Sequence, residues 1–374
     1  ALFAAAGARY VVLVTKHHDG YCLWPTAVPN PHRSGWHCRR DVVGELAEAV
    51  RGAGMRFGVY YSGGLDWTFD DRPMGSMSSL LAAIPRGDYP AYAEAQVREL
   101  VARYRPSVLW NDIAWPAEGK RLWPLFGDYY AHVPDGVVND RWMPWSPALA
   151  AARTAVARRV IDAGAQRQAR RDRGLVPPKP PHFDVRTPEY VVFPDVQRTP
   201  WECVRGMDQS FGYNAASRPE HFLDHDELLW SFTDIVAKGG NLLLNVGPRG
   251  VDAQIPDEQR SRLDWLGDWV GPHRGAIAAT RPWIRPGGPL ADEAEVRYTA
   301  RGDAVFAFVR RRAGSGPVTL ADLRPTATTA VETVDGEPVP WRAGPAGIEV
   351  DLAAPAGPEP AVVVLRQVDA APAG

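Results

Sequence analysis

Cysteine is scarce in this chain. Cys22, Cys38 and Cys203 are all there are in 374 residues, too few for a disulfide framework and without the paired spacing of a zinc site. Cys22 and Cys38 can pair, but free thiols are the simpler expectation. Net charge is equally slight. Forty-two basic side chains stand against 44 acidic ones, a balance of -2, so there is no electrostatic case for nucleic acid or an acidic membrane surface. No apolar run reaches the roughly 18 residues of a membrane-spanning helix. The stretch Ala1 to Gly7 carries no charged leader. It reads as the end of a helix already under way, so the chain is expected to begin inside a longer gene product. No Gly-x-Gly-x-x-Gly opens a first strand–helix turn, which weakens a dinucleotide-binding fold.

What is present is apolar and aromatic. Hydrophobic residues make up 45% of the chain, enough for one large core and a second domain. Fourteen tryptophans suit a surface that holds carbohydrate. Apolar runs at 10–15, 56–62, 108–111, 136–140 and 241–246 read as strands. Helices are expected between them at 41–54, 89–104, 119–132, 226–238 and 256–270, the first with Asp41 as N-cap. Residues 189–193 and 209–213 are weaker strand candidates. Strands alternating with helices argue a parallel α/β sheet. Polar residues gather at the C-terminal ends of several strands, which favours a (β/α)₈ barrel over a doubly wound sheet. About six or seven such strands can be read where a barrel has eight.

The pattern breaks at about 143–183. An Ala/Arg-rich stretch, 148–173, can form a basic amphipathic helix, and the proline run 177–181 is extended. A surface insertion is the expected reading. After Trp283, short alternating segments at 295–299, 304–310, 318–323, 330–334, 348–352 and 361–367 suggest a small antiparallel β-sandwich. Residues 369–374 read as a disordered tail. The division expected is a catalytic barrel over 1–282 lacking its first units, a β-sandwich over 283–368, and the tail.

The chemistry concentrates at strand ends. In the strand 108–111 and the residue after it, side chains two apart share a face, so Trp110 and Asp112 point together and Asn111 away. A flat ring beside a carboxylate suits a sugar, with the carboxylate able to attack an anomeric carbon. The competing reading is a capping Asp that opens the next turn. His17 and His18, after the first strand, can donate to sugar hydroxyls. They are adjacent rather than two apart, so a strand-borne metal site is the minority reading. Tyr60 is a candidate hydroxyl donor beside the carboxylate, and Arg141 a guanidinium at another strand end. Glu189 and Glu202 are candidate acids, and Phe211 is an aromatic beside a flexible glycine.

Together these stretches resemble the retaining α-L-fucosidases of glycoside hydrolase family 29. The matching segments are 15–24, 57–67, 108–116, 138–142, 201–202, 210–214 and 238–248. They occur in family order and cover roughly 8–285. The resemblance implies a (β/α)₈ TIM-like barrel lacking its first units, followed by the sandwich. It implies exo-acting release of terminal α-L-fucose by double displacement, without metal or organic cofactor. Asp112 matches the nucleophile. Glu189 matches the acid/base of close bacterial relatives, with Glu202 as the runner-up. Of that pair the acid should be the partly desolvated member. His17, His18, Tyr60, Trp110, Arg141 and Phe211 match residues lining the fucose pocket. The expected partner is an α-L-fucoside, not nucleic acid or a membrane; a homo-oligomer is left open. The compartment is also open, with the cytoplasm favoured. In two respects the chain departs from the family: the first two barrel units, which carry a His and a Glu-Trp pair, are missing, and the 143–188 stretch is long. The alternative is an inactive fragment or a fucose-binding remnant. A galactosidase-like hydrolase would need a polar residue in place of Phe211.

Overall fold

Residue-level periodicity becomes architecture most directly in the parallel strands. The computed structural model describes residues 1–147, 154–172, 174–290, 293–311, 316–353 and 357–371. The chain divides into two compact units, Ala1 with Ala8–Val191, and Leu2–Gly7 with Val192–Gly374. A one-turn helix α1 (Leu2–Ala5) belongs to the second.

In the first unit, β1 (Tyr10–Lys16), α2 (Val42–Gly52), β2 (Arg56–Ser62), α3 (Met77–Ala82), α4 (Tyr89–Tyr104), β3 (Val108–Asp112), α5 (Gly119–His132), β4 (Val137–Val138) and α6 (Ala155–Asp172) follow in order. The four strands form one parallel sheet in sequence order. Asp41 caps α2 by accepting from the Gly44 amide at 2.9 Å, a contact worth about 1 kcal/mol. On α4 the buried positions Tyr89, Tyr92, Ala93, Gln96, Val97, Leu100 and Val101 follow the helical repeat. That helix ends where Arg105 turns left-handed (φ 42°) ahead of Pro106. β1 is an edge strand, and its Val14 is 37% exposed.

Several expectations are corrected here. The short strand expected at 136–140 is confined to Val137–Val138. The ladder stops because the Asn139 side chain, not its backbone, bonds the Asn111 amide and carbonyl. On the far side of β4, Val138 bonds Asp184 through that residue's carboxylate (2.7 Å from the Val138 amide) and backbone amide. Residues 189–193 form no strand. Glu189 makes only an isolated bridge with Leu175, and Tyr190 is left-handed (φ 57°). Residues 209–213 do not either; the Ser210 amide is held by Asp208 Oδ1 at 2.9 Å, which turns the chain. The helix expected over 148–173 runs from Ala155 to Asp172, with 148–153 and 173 outside the described residues.

In the second unit, β5 (Trp201–Gly206), α7 (His225–Ala237), β6 (Gly240–Asn245) and α8 (Asp257–Ile277) precede the antiparallel part. β5 and β6 pair in parallel. β5 was legible only as the Trp201–Glu202 motif, and α8 runs a further seven residues beyond its expected end at 270. The parallel strands with intervening helices make the α/β class.

The antiparallel part comprises β7 (Arg281–Pro289), β8 (Glu295–Arg301), β9 (Ala304–Arg310), β10 (Gly316–Leu320), β11 (Leu323–Glu332), β12 (Trp341–Gly344), β13 (Gly347–Leu352) and β14 (Ala361–Ala370). Five strands order as β11-β14-β9-β8-β7 and three as β10-β13-β12. Alternation does the sorting. Val305, Ala307 and Val309 join Leu320, Ile348 and Val350 in the core shared by both sheets. Phe306 and Phe308, on the opposite face, pack with Leu228 and Leu229 of α7 and Trp269 of α8. The tail expected from 369 is partly ordered. Asp369 and Ala370 pair with Arg324 and Leu323, because β14 needs them to complete its ladder; 372–374 lie outside the described residues.

Candidate active site

The C-terminal ends of β2 and β3 lie side by side, with Tyr60 in register with Trp110 and Ser62 with Asp112. These four share a face, as alternation requires. Tyr60 stacks on Trp110 at 5.4 Å between centroids. Its hydroxyl donates to Asp112 Oδ2 at 2.7 Å. Desolvation, and then the Asp112 carboxylate, raise the Tyr60 phenol well above its usual range, so it stays a neutral donor. Asn111 points the other way, donating to the Ala114 and Arg141 carbonyls at 2.8 and 2.9 Å.

The turn after Asp112 is strained. Ile113 and Ala114 both have positive φ, 58° and 70°, conformations that cost non-glycine residues of the order of 1 kcal/mol or more each. Asn111 clamps this turn, and the Gly64 amide donates to the Asp112 carbonyl at 3.1 Å. Gly64 is required by proximity, since a Cβ there would sit 1.7 Å from the Ile113 oxygen. The Ile113 amide reaches back to Asp112 Oδ1 at 3.0 Å.

Arg141 is the hub. It is 9% exposed, and its guanidinium lies over the Trp110 ring at 4.7 Å. Nη1 is 3.1 Å from Asp112 Oδ1, and Nη2 is 3.0 Å from Glu189 Oε2. Nε donates to Thr187 Oγ1 at 3.2 Å. Burial alone would lower the Arg141 pKa, but Asp112 and Glu189 outweigh it and raise it. Behind it, the buried Asp140 accepts from the Thr187 hydroxyl (2.6 Å), the Thr187 amide (3.0 Å) and Arg186 Nε (2.6 Å). Thr187 therefore transmits the position of Asp140 to Arg141. Asn139 replaces the missing strand ladder with its side chain, exchanging two bonds of 2.9 and 2.8 Å with the Asn111 backbone.

His17 reaches this face through a β-bulge. In the β1–β2 ladder Val14 opposes Tyr60 and Lys16 opposes Tyr61, so Thr15 is the extra residue. Its hydroxyl donates to the Tyr60 carbonyl at 2.7 Å. The bulge turns Lys16 to the α4 side, where it pairs with Asp66 at 2.8 Å, both side chains fully buried. His17 is thereby delivered to the other side, stacked on Tyr60 at 5.7 Å. Desolvation in this stack lowers the His17 pKa against the pull of Asp112. His18 lies 4.0 Å from His17, ring to ring, with Nδ1 2.7 Å from Ser62 Oγ.

Seven of the nine sequence-predicted site residues are in the first unit. Asp112, Glu189, Tyr60, Trp110, Arg141, His17 and His18 come together there. Trp110 is only 4% exposed; it backs Tyr60 and Arg141 rather than offering an open face to a sugar. Glu202 and Phe211 belong to the second unit. Glu202 is a buried member of β5 opposite Asn241. The Phe211 carbonyl accepts from Asn245 Nδ2. Asp140, Thr187, Ser62 and the Lys16–Asp66 pair were missed as site residues. The signal lay in their neighbours, since each adjoins or pairs with a residue already singled out. Among the described residues no group of three or more His, Cys, Asp or Glu side chains is set to hold a metal ion, and no helix is long and apolar enough to cross a membrane.

The sequence profile of the alpha-L-fucosidase family matches residues 1–274. The chain belongs to the α-L-fucosidase family. It is therefore a glycoside hydrolase. An alpha-L-fucosidase of Branchiostoma floridae is 31% identical over 363 residues, covering 93% of this chain and 71% of that protein. The tissue alpha-L-fucosidase of Bos taurus is 30% identical over 360 residues, with 92% and 67% covered. Among solved structures, Thermotoga maritima alpha-fucosidase in complex with a mechanism-based inhibitor is 37% identical. It superposes with a TM-score of 0.80 over 98% of this chain and 77% of its own. The superposition, at 98% of this chain, takes in the antiparallel segment as well as the parallel strands.

Proposed function

We propose that the protein removes terminal α-L-fucosyl residues from oligosaccharides or glycoconjugates by a retaining double displacement. The observation that carries this reading is Arg141, one buried guanidinium in contact with two carboxylates, Asp112 at 3.1 Å and Glu189 at 3.0 Å. Retaining glycosidases set such a pair about 5–5.5 Å apart, one to attack and one to shuttle the proton. Asp112 attacks C1 as the glycosidic bond breaks, forming a glycosyl-enzyme. Glu189 gives its proton to the leaving oxygen, then takes one from the water that releases fucose. Tyr60 and Arg141 hold Asp112 in one orientation and balance its charge until the bond forms. His17 and His18 bind fucose hydroxyls, and Trp110 supports the pocket. A mechanism-based inhibitor bound to the Thermotoga relative supports chemistry that passes through the enzyme. We take the parallel strands to belong to a (β/α)₈-type barrel, and the segment 283–368 to be a supporting β-sandwich without chemistry.

The test is the stereochemistry of the first product. Proton NMR during hydrolysis of an aryl α-L-fucoside should show α-L-fucose first, with the β anomer appearing only by mutarotation. β-L-Fucose as the first product contradicts the double displacement. Binding of fucose without turnover favours the fucose-binding remnant instead.

A further inference from the structure

Ser62 decides what kind of group His18 can hold. Its hydroxyl oxygen lies 2.7 Å from His18 Nδ1 and 2.8 Å from the Leu65 carbonyl oxygen, and Ser62 is fully buried. A serine hydroxyl has one proton to give. Two oxygens 2.8 Å apart need a proton between them, and a carbonyl has none. The Ser62 proton is therefore committed to Leu65. Tyr89 also approaches the Leu65 carbonyl, at 3.3 Å, but its proton lies on its own line of approach and cannot shield Ser62 from that oxygen. With its proton spent, Ser62 can only accept from His18, so Nδ1 carries a hydrogen. Desolvation, and next the adjacent His17, push the His18 pKa down to about 4, which leaves the ring neutral and Nε2 bare.

We propose that Ser62 is a positioning residue that locks His18 as the Nδ1–H tautomer, so that His18 Nε2 accepts a hydrogen bond from a hydroxyl of the fucosyl ring. This reverses the simple expectation that both histidines donate. It rests on His18 being a wall of the sugar site. The backbone supports the arrangement: the Trp67 amide donates to the His18 carbonyl at 2.7 Å, which ties the histidine loop to the turn that carries Leu65. The strand end of β2 thus serves two tasks, Tyr60 orienting the attacking carboxylate and Ser62 setting the hydrogen-bonding sense of the pocket. An acceptor wall selects for a ligand that donates. Fluorine in place of the matching hydroxyl keeps the size but cannot donate.

The experiment uses the full chain labelled with nitrogen-15. Long-range proton–nitrogen spectra distinguish the tautomers of its nine histidines, and His18→Gln identifies the relevant signals. His18 should be Nδ1–H in the wild type and in Ser62→Thr, and should shift toward Nε2–H in Ser62→Ala. An Nε2–H ring in the wild type overturns the proposal without use of any variant. Kinetics with monofluorinated aryl fucosides test the ligand side. One ring position should lose about tenfold in kcat/KM on exchange of hydroxyl for fluorine, and Ser62→Ala should shrink that penalty. A locked Nδ1–H ring with no such position overturns the hydroxyl-accepting role while leaving the fucosidase reading standing. Wild-type protein that turns over no aryl fucoside sinks the fucosidase reading, yet the tautomer is still measured.

Discussion

Arg141 is a buried cation balanced by two carboxylates, and its planar fork is what lets one side chain meet both. Asp112 was legible because it ends an apolar strand beside a tryptophan. Glu189 was legible as one of two candidate acids, and only the family resemblance put it ahead of Glu202, since nothing in the run Thr187 to Tyr190 distinguishes an acid from a surface glutamate. Asp140 and Thr187 stayed hidden because they act at one remove, through hydrogen bonds that fold up from 46 and 47 residues apart. The assignment of the acid separates cleanly in kinetics. Glu189→Ala should slow hydrolysis of fucosides with poor leaving groups by about 10²–10⁴, the usual share of general acid catalysis, and activated aryl fucosides much less. Leaving-group dependence in Glu202→Ala with none in Glu189→Ala would hand the role to Glu202.

At the scale of elements, the bulge in β1 matters more than the strand around it. Regular pairing would send Lys16 to the site and His17 to the helix side. Thr15 reverses this, and its hydroxyl bond to the Tyr60 carbonyl at 2.7 Å holds the extra residue. Thr15→Val keeps the shape and removes that bond, a loss of about 1 kcal/mol. It should raise KM several-fold with a small change in melting temperature, and Thr15→Ser should restore the wild-type value. In a His17→Ala background Thr15→Val should cost little more, because the bulge acts through His17. Full additivity of the two substitutions would refute that coupling. Apolar periodicity and the start and stop residues made α4, α5 and β2 legible to the residue. The bulge was not, because nothing in Val14-Thr15-Lys16 departs from an ordinary strand. The strand expected at 189–193 failed for the opposite reason: Val191 and Val192 favour a strand, but the left-handed Tyr190 and the Pro194 that follows break it.

For the molecule as a whole, alternation of apolar runs with helices disclosed the α/β class, and the change to short alternating segments after Trp283 disclosed the antiparallel sheets. Pairing order was out of reach. The order β11-β14-β9-β8-β7 depends on which apolar faces meet across long separations, and many pairings satisfy the same local pattern. The central claim is that the glycosyl-enzyme forms on one carboxylate among the chain's 44 acidic side chains. The direct measurement is to trap the glycosyl-enzyme with a 2-deoxy-2-fluoro-fucosyl fluoride, digest the protein and locate the label by mass spectrometry. The account predicts stoichiometric label on Asp112, lost in Asp112→Asn. Label on Glu189, on Glu202 or on any other carboxylate would contradict it.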